Sequence, residues 1–356
     1  METANYRELP KVLLHDHLDG GLRAKTLIEL AAEVGYKRLP TANAVRLEEW
    51  INTRGSGSIE NLLWIVSHVL AVIQSADALR RVASEAAIDL ASDGVVYAEL
   101  SFSPARFSEH GLSPSECVEA VLEGLTSASN ATEISIGLIL TAMRDDPDSL
   151  RIAELASAYR DDGVVGIDLA GKEWGHPPSD HAVAYKYARE HGIHLTVHAG
   201  DDVATLPYIR SALEDCHVER LGVVHRLIDD IEVFDDGSFA LGALASQIRD
   251  EQIPLEMVPI SGAFVHNIAA EDHPLGPLHR AGFAVTVNTD GRLIGGSTMS
   301  KEFENAVVNH DMTVDDLRVM TLRAADAAFC DPATKKVVQA KVVDGFAGSA
   351  DIPRPG

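Results

Sequence analysis

Cysteine is scarce in this chain, and its three cysteines, Cys117, Cys216 and Cys330, lie far apart in the sequence. A disulfide framework or a thiolate metal site needs cysteines in pairs or close clusters, so we expect neither. The sequence therefore predicts a protein of the reducing cytoplasm. The opening stretch METANYRELPK lacks the apolar core of a secretion signal, and no apolar run is long enough to span a bilayer.

Positive charge is also in short supply. Lys and Arg total 30 against 54 Asp and Glu, which gives a formal net charge of -24 at pH 7. Nucleic acids and anionic membrane surfaces are bound through basic patches, so this balance argues against both as partners. A nucleoside carries no phosphate and stays compatible with the acidic chain.

Apolar residues, in contrast, are plentiful. They make up 46% of the 356 residues, which is enough for a large buried core. Barrels of the α/β class reach this length as one domain, and no low-complexity linker interrupts the chain. We expect a single domain over residues 1–356, with residues 351–356 (DIPRPG) as a frayed tail.

Eight short apolar runs alternate with longer segments of helical periodicity. The runs cover residues 12–17, 95–103, 134–143, 164–171, 194–200, 220–225, 253–261 and 283–290. Nearly continuous apolar character is typical of strands that are buried on both faces. Eight such strands, each followed by a helix, predict a (β/α)8 TIM barrel, here with extra C-terminal helices. The helical insertion at 54–74, after the first strand, is either a lid over the barrel mouth or a plain packing helix.

Polar residues gather where the strands of this barrel end. His15 and His17 stand two positions apart on the first strand, so both side chains face the same way. Alone, such a pair is either a pair of metal ligands or two surface histidines. His198 ends the fifth strand and Asp290 ends the eighth. Because these strand ends share one face of the barrel, the set predicts one divalent metal, zinc by preference, with a position left for water.

Longer motifs carry a more specific signal than this spacing. They include LPKVLLHDHLDGGL at the first strand, LTVHAGD at the fifth and VTVNTDGRLIGGSTMS at the eighth. Through them the chain resembles the adenosine deaminase family of metal-dependent amidohydrolases, especially its bacterial branch, over nearly its whole length. The resemblance implies hydrolytic deamination, in which water adds at C6 of a purine and ammonia leaves.

The resemblance also implies roles for individual residues. It assigns the metal to His15, His17, His198 and Asp290. It puts Asp19 at the 5′-hydroxyl of a ribose, and the backbone amide of Gly171 at a ring nitrogen of the purine. The implied partner is therefore a small nucleoside-like substrate.

The fifth strand departs from the family pattern. The family's H-A-G-E supplies a glutamate that protonates N1 of the purine, whereas this chain reads H-A-G-D with Asp201 there. Aspartate draws the acid back by about 1.5 Å, and a misplacement near 1 Å can cost about a hundredfold in rate. We predict Asp201 as the general acid/base and interpret its neighbour Asp202 as a solvated loop acid.

The sixth strand departs as well. The family's R-L-G-H-G carries a histidine that orients the attacking water, whereas here Val223 occupies that position in R-L-G-V-V-H. On a continuing strand, His225 would lie on the same face, about 6.6 Å nearer the barrel mouth. It then either points into the pocket as a catalytic helper or caps the strand.

Positions expected around the purine base also differ. Gly291 follows Asp290 where the family has Asp or Asn to bond N7, and Ser101 and Ala105 replace an Arg and a Glu. We therefore predict Ser101 and Gly291 as substrate contacts of altered chemistry. A protein that had lost its activity would be free to lose its metal ligands as readily as the residues around the purine base. The intact ligands therefore favour a metal-bound protein.

Three hypotheses of function follow. The first is a metal-dependent deaminase acting on a modified purine nucleoside or a related heterocycle. The second is an ordinary but slow adenosine deaminase that works through Asp201 and His225. The third is a catalytically silent protein that binds a nucleoside. Fold-level analogy cannot choose among them, because this barrel hosts many chemistries.

Overall fold

The computed structural model describes residues 6–108, 111–202, 205–234 and 236–347, and the predicted frayed tail at 351–356 lies outside them. Within these ranges the strands are β1 (Lys11–His17), β2 (Val95–Phe102), β3 (Ser135–Met143), β4 (Val164–Ala170), β5 (His194–Leu195), β6 (Leu221–Gly222), β7 (Ile231–Val233), β8 (Phe239–Leu241), β9 (Leu255–Met257) and β10 (Val285–Val287). The helices are α1 (Ala24–Glu33), α2 (Ala44–Arg54), α3 (Ile59–Leu70), α4 (Ala76–Ser92), α5 (Pro114–Thr132), α6 (Ser149–Ala158), α7 (Ala182–Glu190), α8 (Leu206–Glu214), α9 (Ala243–Asp250), α10 (Pro259–His266), α11 (Leu275–Arg280), α12 (Met299–His310), α13 (Val314–Ala327) and α14 (Pro332–Phe346).

Eight of the strands close into a parallel barrel, which confirms the predicted (β/α)8 fold. Strands β1 to β5 pair in chain order, and β10, β9 and β6 form a second parallel sheet. One bridge between His198 and Gly222 joins the two sheets on one side, and one between Asp16 and Asp290 joins them on the other. We call these two joins the seams. Strands β7 and β8 form a separate antiparallel pair, which lies outside the eight predicted strands.

The predicted bounds suit the first four strands better than the later ones. Strands β5 and β6 are two residues each, far shorter than the predicted runs 194–200 and 220–225. The seventh predicted strand, 253–261, stops at Met257, because Pro259 starts α10. Proline is well suited to a first helical position, where its missing N–H would have no partner in any case.

The start of helix α5 and its packing on α4 both follow from particular residues in the sequence. Helix α5 starts with a capping box in which Ser113 and Glu116 satisfy each other's backbone amides. It packs closely on α4, since a Cβ at Gly124 would lie 2.3 Å from the carbonyl oxygen of Arg80. Only glycine allows two helices to approach this closely at that point.

Two segments added to the barrel contact its pocket and one of its seams. Helix α3, within the predicted insertion, brings Leu62, Leu63 and Val66 to the pocket at the barrel mouth. Its action as a lid stays a prediction, as does the single domain. The C-terminal helices include α13, which contacts β1 and β10 beside one seam. Among the described residues, no helix combines the length and the apolar character needed to cross a membrane.

Candidate metal centre and substrate pocket

The four predicted metal ligands lie together at the seams of the barrel. One side-chain nitrogen or oxygen from each residue lies within 4.8 Å of the others, and we call this set the ligand cluster: His15, His17, His198 and Asp290. The Nε2 atoms of His17 and His198 are 3.1 Å apart, and Nε2 of His17 is 3.5 Å from Oδ1 of Asp290. The geometry is compatible with a shared cation, whose binding stays a prediction.

Buried carboxylates orient two of these imidazoles from behind. Nδ1 of His15 lies 2.8 Å from Oε2 of Glu256, and Nδ1 of His198 lies 2.9 Å from Oδ1 of Asp168. A carboxylate that accepts from Nδ1 fixes the tautomer and leaves a lone pair on Nε2. Glu256 is itself held by the buried Arg220, whose Nε lies 2.6 Å from Oε1 of Glu256.

The donor set fits a divalent metal. Nε2 of His15 is buried and has no hydrogen-bond partner in the described part of the chain. The lone pairs of His15 and His198 therefore face the centre of the cluster together with the Asp290 carboxylate. Three imidazoles and one carboxylate suit a borderline metal ion and leave room for a fifth ligand of small size.

The ligand cluster forms the floor of a pocket whose wall contains the predicted substrate contacts. Asp19, Gly171 and Gly291 all line this pocket, as do His17, His198 and Asp290 of the floor. Gly171 has φ +105, a conformation that residues with a Cβ rarely adopt. A Cβ there would also lie 3.2 Å from Cε of Met143, so glycine keeps the backbone open to a ligand.

Ser101 does not fit its predicted position. It is buried on β2 and is not among the residues that line the pocket, whereas Ser103 and Arg106, further along the chain, are. Side chains alternate along a strand, so Ser101 and Ser103 share the inner face, with Ser101 one layer deeper. The predicted direct contact of Ser101 with a substrate is therefore not supported by its placement.

Asp201 lines the pocket and is bonded from behind by two histidines. Its Oδ1 lies 2.7 Å from Nε2 of His266 and 3.2 Å from Nδ1 of His225, and these three residues are the Asp201 cluster. Burial alone would raise the pKa of Asp201, but hydrogen bonds from both histidines outweigh it and hold this pKa well below its ordinary value. These two contacts favour the ionised form of the carboxylate that faces the pocket.

The expected continuation of the sixth strand through His225 is wrong. Strand β6 ends at Gly222, Val223 has φ +53, and His225 opens a short 3-10 helix, His225–Asp230. A left-handed Val223 turns the chain, so the alternation that would aim His225 at the pocket no longer applies. Val223 lines the pocket, whereas His225 is buried against Asp201 outside the lining.

Sequence reasoning missed several residues that hold the site. Glu173 accepts hydrogen bonds from the backbone amides of Gly200, Asp201 and Asp202 at 2.8, 3.0 and 3.0 Å, and so fixes the loop that carries Asp201. Burial raises the pKa of Glu173, against the lowering effect of the nearby Arg144 guanidinium. Asp168 and Glu256 were missed too, although each is a lone acid within an otherwise apolar strand. That isolation is the signal that could have found them.

The sequence pattern of the adenosine deaminase family matches residues 10–345 of this chain. The chain belongs to the adenosine deaminase family. It is 48% identical over 332 residues to adenosine deaminase 1 of Streptomyces coelicolor, a match that covers 91% of this chain and 83% of that protein. The family resemblance carried by the sequence motifs is thereby confirmed, and this family is metal-dependent.

Solved structures of the adenosine deaminase family's fold agree with the barrel. An amidohydrolase from Burkholderia ambifaria with bound Zn matches with a TM-score of 0.85 at 26% identity, covering 98% of this chain and 93% of that one. The N6-mAMP deaminase of Arabidopsis matches with a TM-score of 0.81 at 25% identity, covering 95% and 99%. This chain is therefore similar both to an adenosine deaminase and to an N6-mAMP deaminase.

Proposed function

We propose that this protein is a zinc-dependent aminohydrolase of the cytoplasm that deaminates a purine nucleoside or a modified, nucleoside-like heterocycle. The observation that carries the proposal is the ligand cluster, in which Nε2 of His15, buried and without a hydrogen-bond partner among the described residues, meets three further ligand atoms on the floor of a pocket. The zinc of the Burkholderia structure supports the choice of metal. The free thiols of Cys117, Cys216 and Cys330 support a reducing compartment.

The proposed division of labour uses the geometry of the pocket. The ligand cluster would hold the metal, which when bound supplies activated water for attack at a ring carbon. Asp168 and Glu256 keep two of the imidazoles oriented. Asp19 accepts a hydrogen bond from a sugar hydroxyl, the Gly171 amide donates one to a ring nitrogen, and Asp201 is the proton-transfer group of the wall.

A substrate other than plain adenosine is favoured by two positions in the pocket. Gly291 offers no side chain where the family has an acid or amide, and Val223 offers an apolar one where the family has histidine. Base recognition and water orientation are thus both changed. The similar N6-mAMP deaminase supports a purine whose amino group carries a substituent.

Adenosine itself is the second candidate. The 48% identity to a named adenosine deaminase supports it, and so do Asp19 and Gly171 in the pocket wall. In that case we expect slow turnover, because the acid is one methylene short and the strand-six histidine is absent.

A metal and substrate screen tests these proposals. Protein purified with zinc is analysed for metal content and assayed by chromatography on adenosine, 2′-deoxyadenosine, N6-methyladenosine, N6-methyl-AMP and adenine, with His198→Ala as the control. We expect close to one metal per chain and turnover best on a modified purine. Metal content well under one per chain would refute the metal centre. Saturable nucleoside binding without turnover would identify a silent binding protein.

A further inference from the structure

The Asp201 cluster presents one face to the pocket and another to solvent. Asp201 lines the pocket, while His225 and His266 stand behind it and direct one nitrogen each at the same oxygen, Oδ1. Because a carboxylate only accepts hydrogen bonds, both nitrogens carry hydrogens. Both histidines contact Oδ1, so neither of them occupies the second oxygen, Oδ2, of this pocket-lining residue.

This arrangement creates a difficulty for Asp201 as an acid. The proposed reaction needs a proton at a ring nitrogen of the substrate, yet the two histidines keep the carboxylate ionised. An ionised carboxylate has no proton to give. The proton must come from a group that is bonded to Asp201 and can be reloaded.

His266 has the contacts and the exposure for that task. Its side chain is 29% exposed, against 6% for His225, so only His266 of the pair exchanges readily with water. The hydrogen bond to Asp201 raises the pKa of His266 above its ordinary value, with Asp202 adding to the effect and Arg226 opposing it. The His225 ring is the other titratable group beside it, with 5.1 Å between ring centroids.

We propose that His266 supplies, through Asp201, the proton that the substrate ring receives, and that His225 is a positioning residue for the same carboxylate. The N–H bond at Nε2 of the His266 imidazolium breaks as an O–H bond forms on Asp201, which leaves a neutral imidazole. The proton then passes from Asp201 to a ring nitrogen, and the partly exposed imidazole takes up a proton from solvent. The attacking water adds as hydroxide and gives its other proton to solvent, so the cycle balances. This inference rests on the proposed function.

A cation in the Asp201 cluster is the competing interpretation, since its three ligand atoms also lie within 4.8 Å of one another. The 2.7 Å separation of Nε2 and Oδ1 is that of a direct hydrogen bond, with both imidazoles converging on one oxygen. Metal binding would instead need lone pairs on those nitrogens. The hydrogen-bonded geometry favours proton transfer.

A histidine titration by NMR tests whether His266 can hold the proton for Asp201, and it does not require turnover. In zinc-loaded wild-type protein we expect the pKa of His266 to lie above its ordinary value, because of the hydrogen bond to Asp201, and to fall in Asp201→Asn. His279, which pairs with Asp316 at 3.1 Å, is the matched internal control and should not shift. A His266 titration unaffected by Asp201→Asn, or a second zinc per chain that is lost in His266→Gln, would overturn the proposal.

Kinetics on the best substrate of the screen, with adenosine as the default probe, test the transfer itself. We expect His266→Gln to lower kcat by about a hundredfold and to remove the limb of the pH profile that belongs to the acid. Added imidazole should restore part of the rate in His266→Gly, and His279→Gln should match wild type. Wild-type rate and pH profile in His266→Gln would overturn the relay while leaving the proposed function intact. If wild-type protein turns over no substrate, the proposed function fails. The NMR titration then remains the test of whether His266 holds a proton for Asp201.

Discussion

The ligand cluster and the Asp201 cluster are built from the same two residue types, yet they are held in opposite ways. In the ligand cluster, carboxylates on strands β4 and β9 accept from Nδ1 of His198 and His15, which frees the Nε2 atoms for the pocket. In the Asp201 cluster the carboxylate is the shared acceptor, and both histidines direct their nitrogens at it. The first arrangement prepares lone pairs for a cation, whereas the second prepares hydrogens for a proton transfer.

The two clusters also differ in the elements that carry them. The ligand cluster stands on β1 and at the two seams, where bridges to neighbouring strands hold the backbone at His198 and Asp290. His225 and His266 come from a 3-10 helix and from the end of α10, beyond the strand ends. Segments of this kind can change without disturbing the barrel, which explains why the metal centre keeps the family pattern while proton transfer does not.

Removing a ligand should have the largest effect of any change considered. We expect His198→Ala to lose most of the metal. Activity should fall by more than about 100-fold, which is the upper end of the loss seen when a carboxylate that supports a metal ligand is removed. Elemental analysis and kcat/KM measure the two effects. His191→Ala, at an exposed histidine bonded to the carbonyl of Tyr187, is the control and should retain metal and activity. Full metal occupancy in His198→Ala would contradict the assignment.

Changing a supporting carboxylate should have an intermediate effect. Asp168→Asn keeps the shape but removes the charge that orients His198, so we expect zinc affinity to fall by about 10- to 100-fold. Competition with a chelator measures the affinity, and the exposed Asp148→Asn is the control. Unchanged zinc affinity would mean that the 2.9 Å contact between Asp168 and His198 does not tune the ligand.

Restoring the family residues should change adenosine turnover little. If Asp201 and Val223 were the only defects, the double substitution Asp201→Glu with Val223→His would raise the rate of adenosine turnover by roughly a hundredfold or more for each position. We expect a gain below about tenfold on adenosine, because Gly291 still lacks a base contact and the added methylene disturbs the bonds to His225 and His266. Steady-state rates of the double variant against wild type measure the gain. A double variant that turns over adenosine as fast as an ordinary family member would contradict this expectation. It would mean that the pocket suits adenosine and that only these two positions are impaired.

The smallest expected effect concerns a third kind of buried carboxylate, Glu302. It accepts hydrogen bonds from the Ile260 amide at 3.3 Å and the Ser297 hydroxyl at 2.7 Å, and burial raises its pKa from 4.5 to about 8. The native state therefore holds this proton more firmly than the unfolded chain, and stability falls as pH rises from 4.5 towards 8. Glu302→Gln cannot ionise, so its Tm should exceed that of wild type by a margin that grows across this range. A margin independent of pH would refute the raised pKa.

Much of the barrel and the ligand cluster could be predicted because both depend on local patterns. Continuous apolar runs identify strands buried on two faces, and polar residues at their ends identify the catalytic face. His15 and His17 share a face by strand alternation alone, and the structure brings them together with His198 and Asp290. Their metal-binding role, like the roles of the other site residues, stays a prediction.

The rest of the site depends on backbone turns and distant contacts that a single sequence does not reveal. Strand alternation failed at His225 because Val223 adopts a left-handed conformation that β-branched residues seldom take. The bond between Asp201 and His266 joins residues 65 positions apart. Neither local pattern indicates this contact, because the predicted seventh strand ends at residue 261, whereas the structure places His266 at the end of α10.

The seams have a consequence for how the protein matures. Each seam is a single bridge, and each bridge contains a member of the ligand cluster, His198 or Asp290. Asp290 bridges to Asp16 on β1, so the first and last barrel strands meet only after almost the whole chain has left the ribosome. Coordination of an ion by all four residues of the ligand cluster would therefore have to wait for ring closure, which would make ion binding a late event in folding. An ion captured then would bind both sides of a seam and slow its reopening.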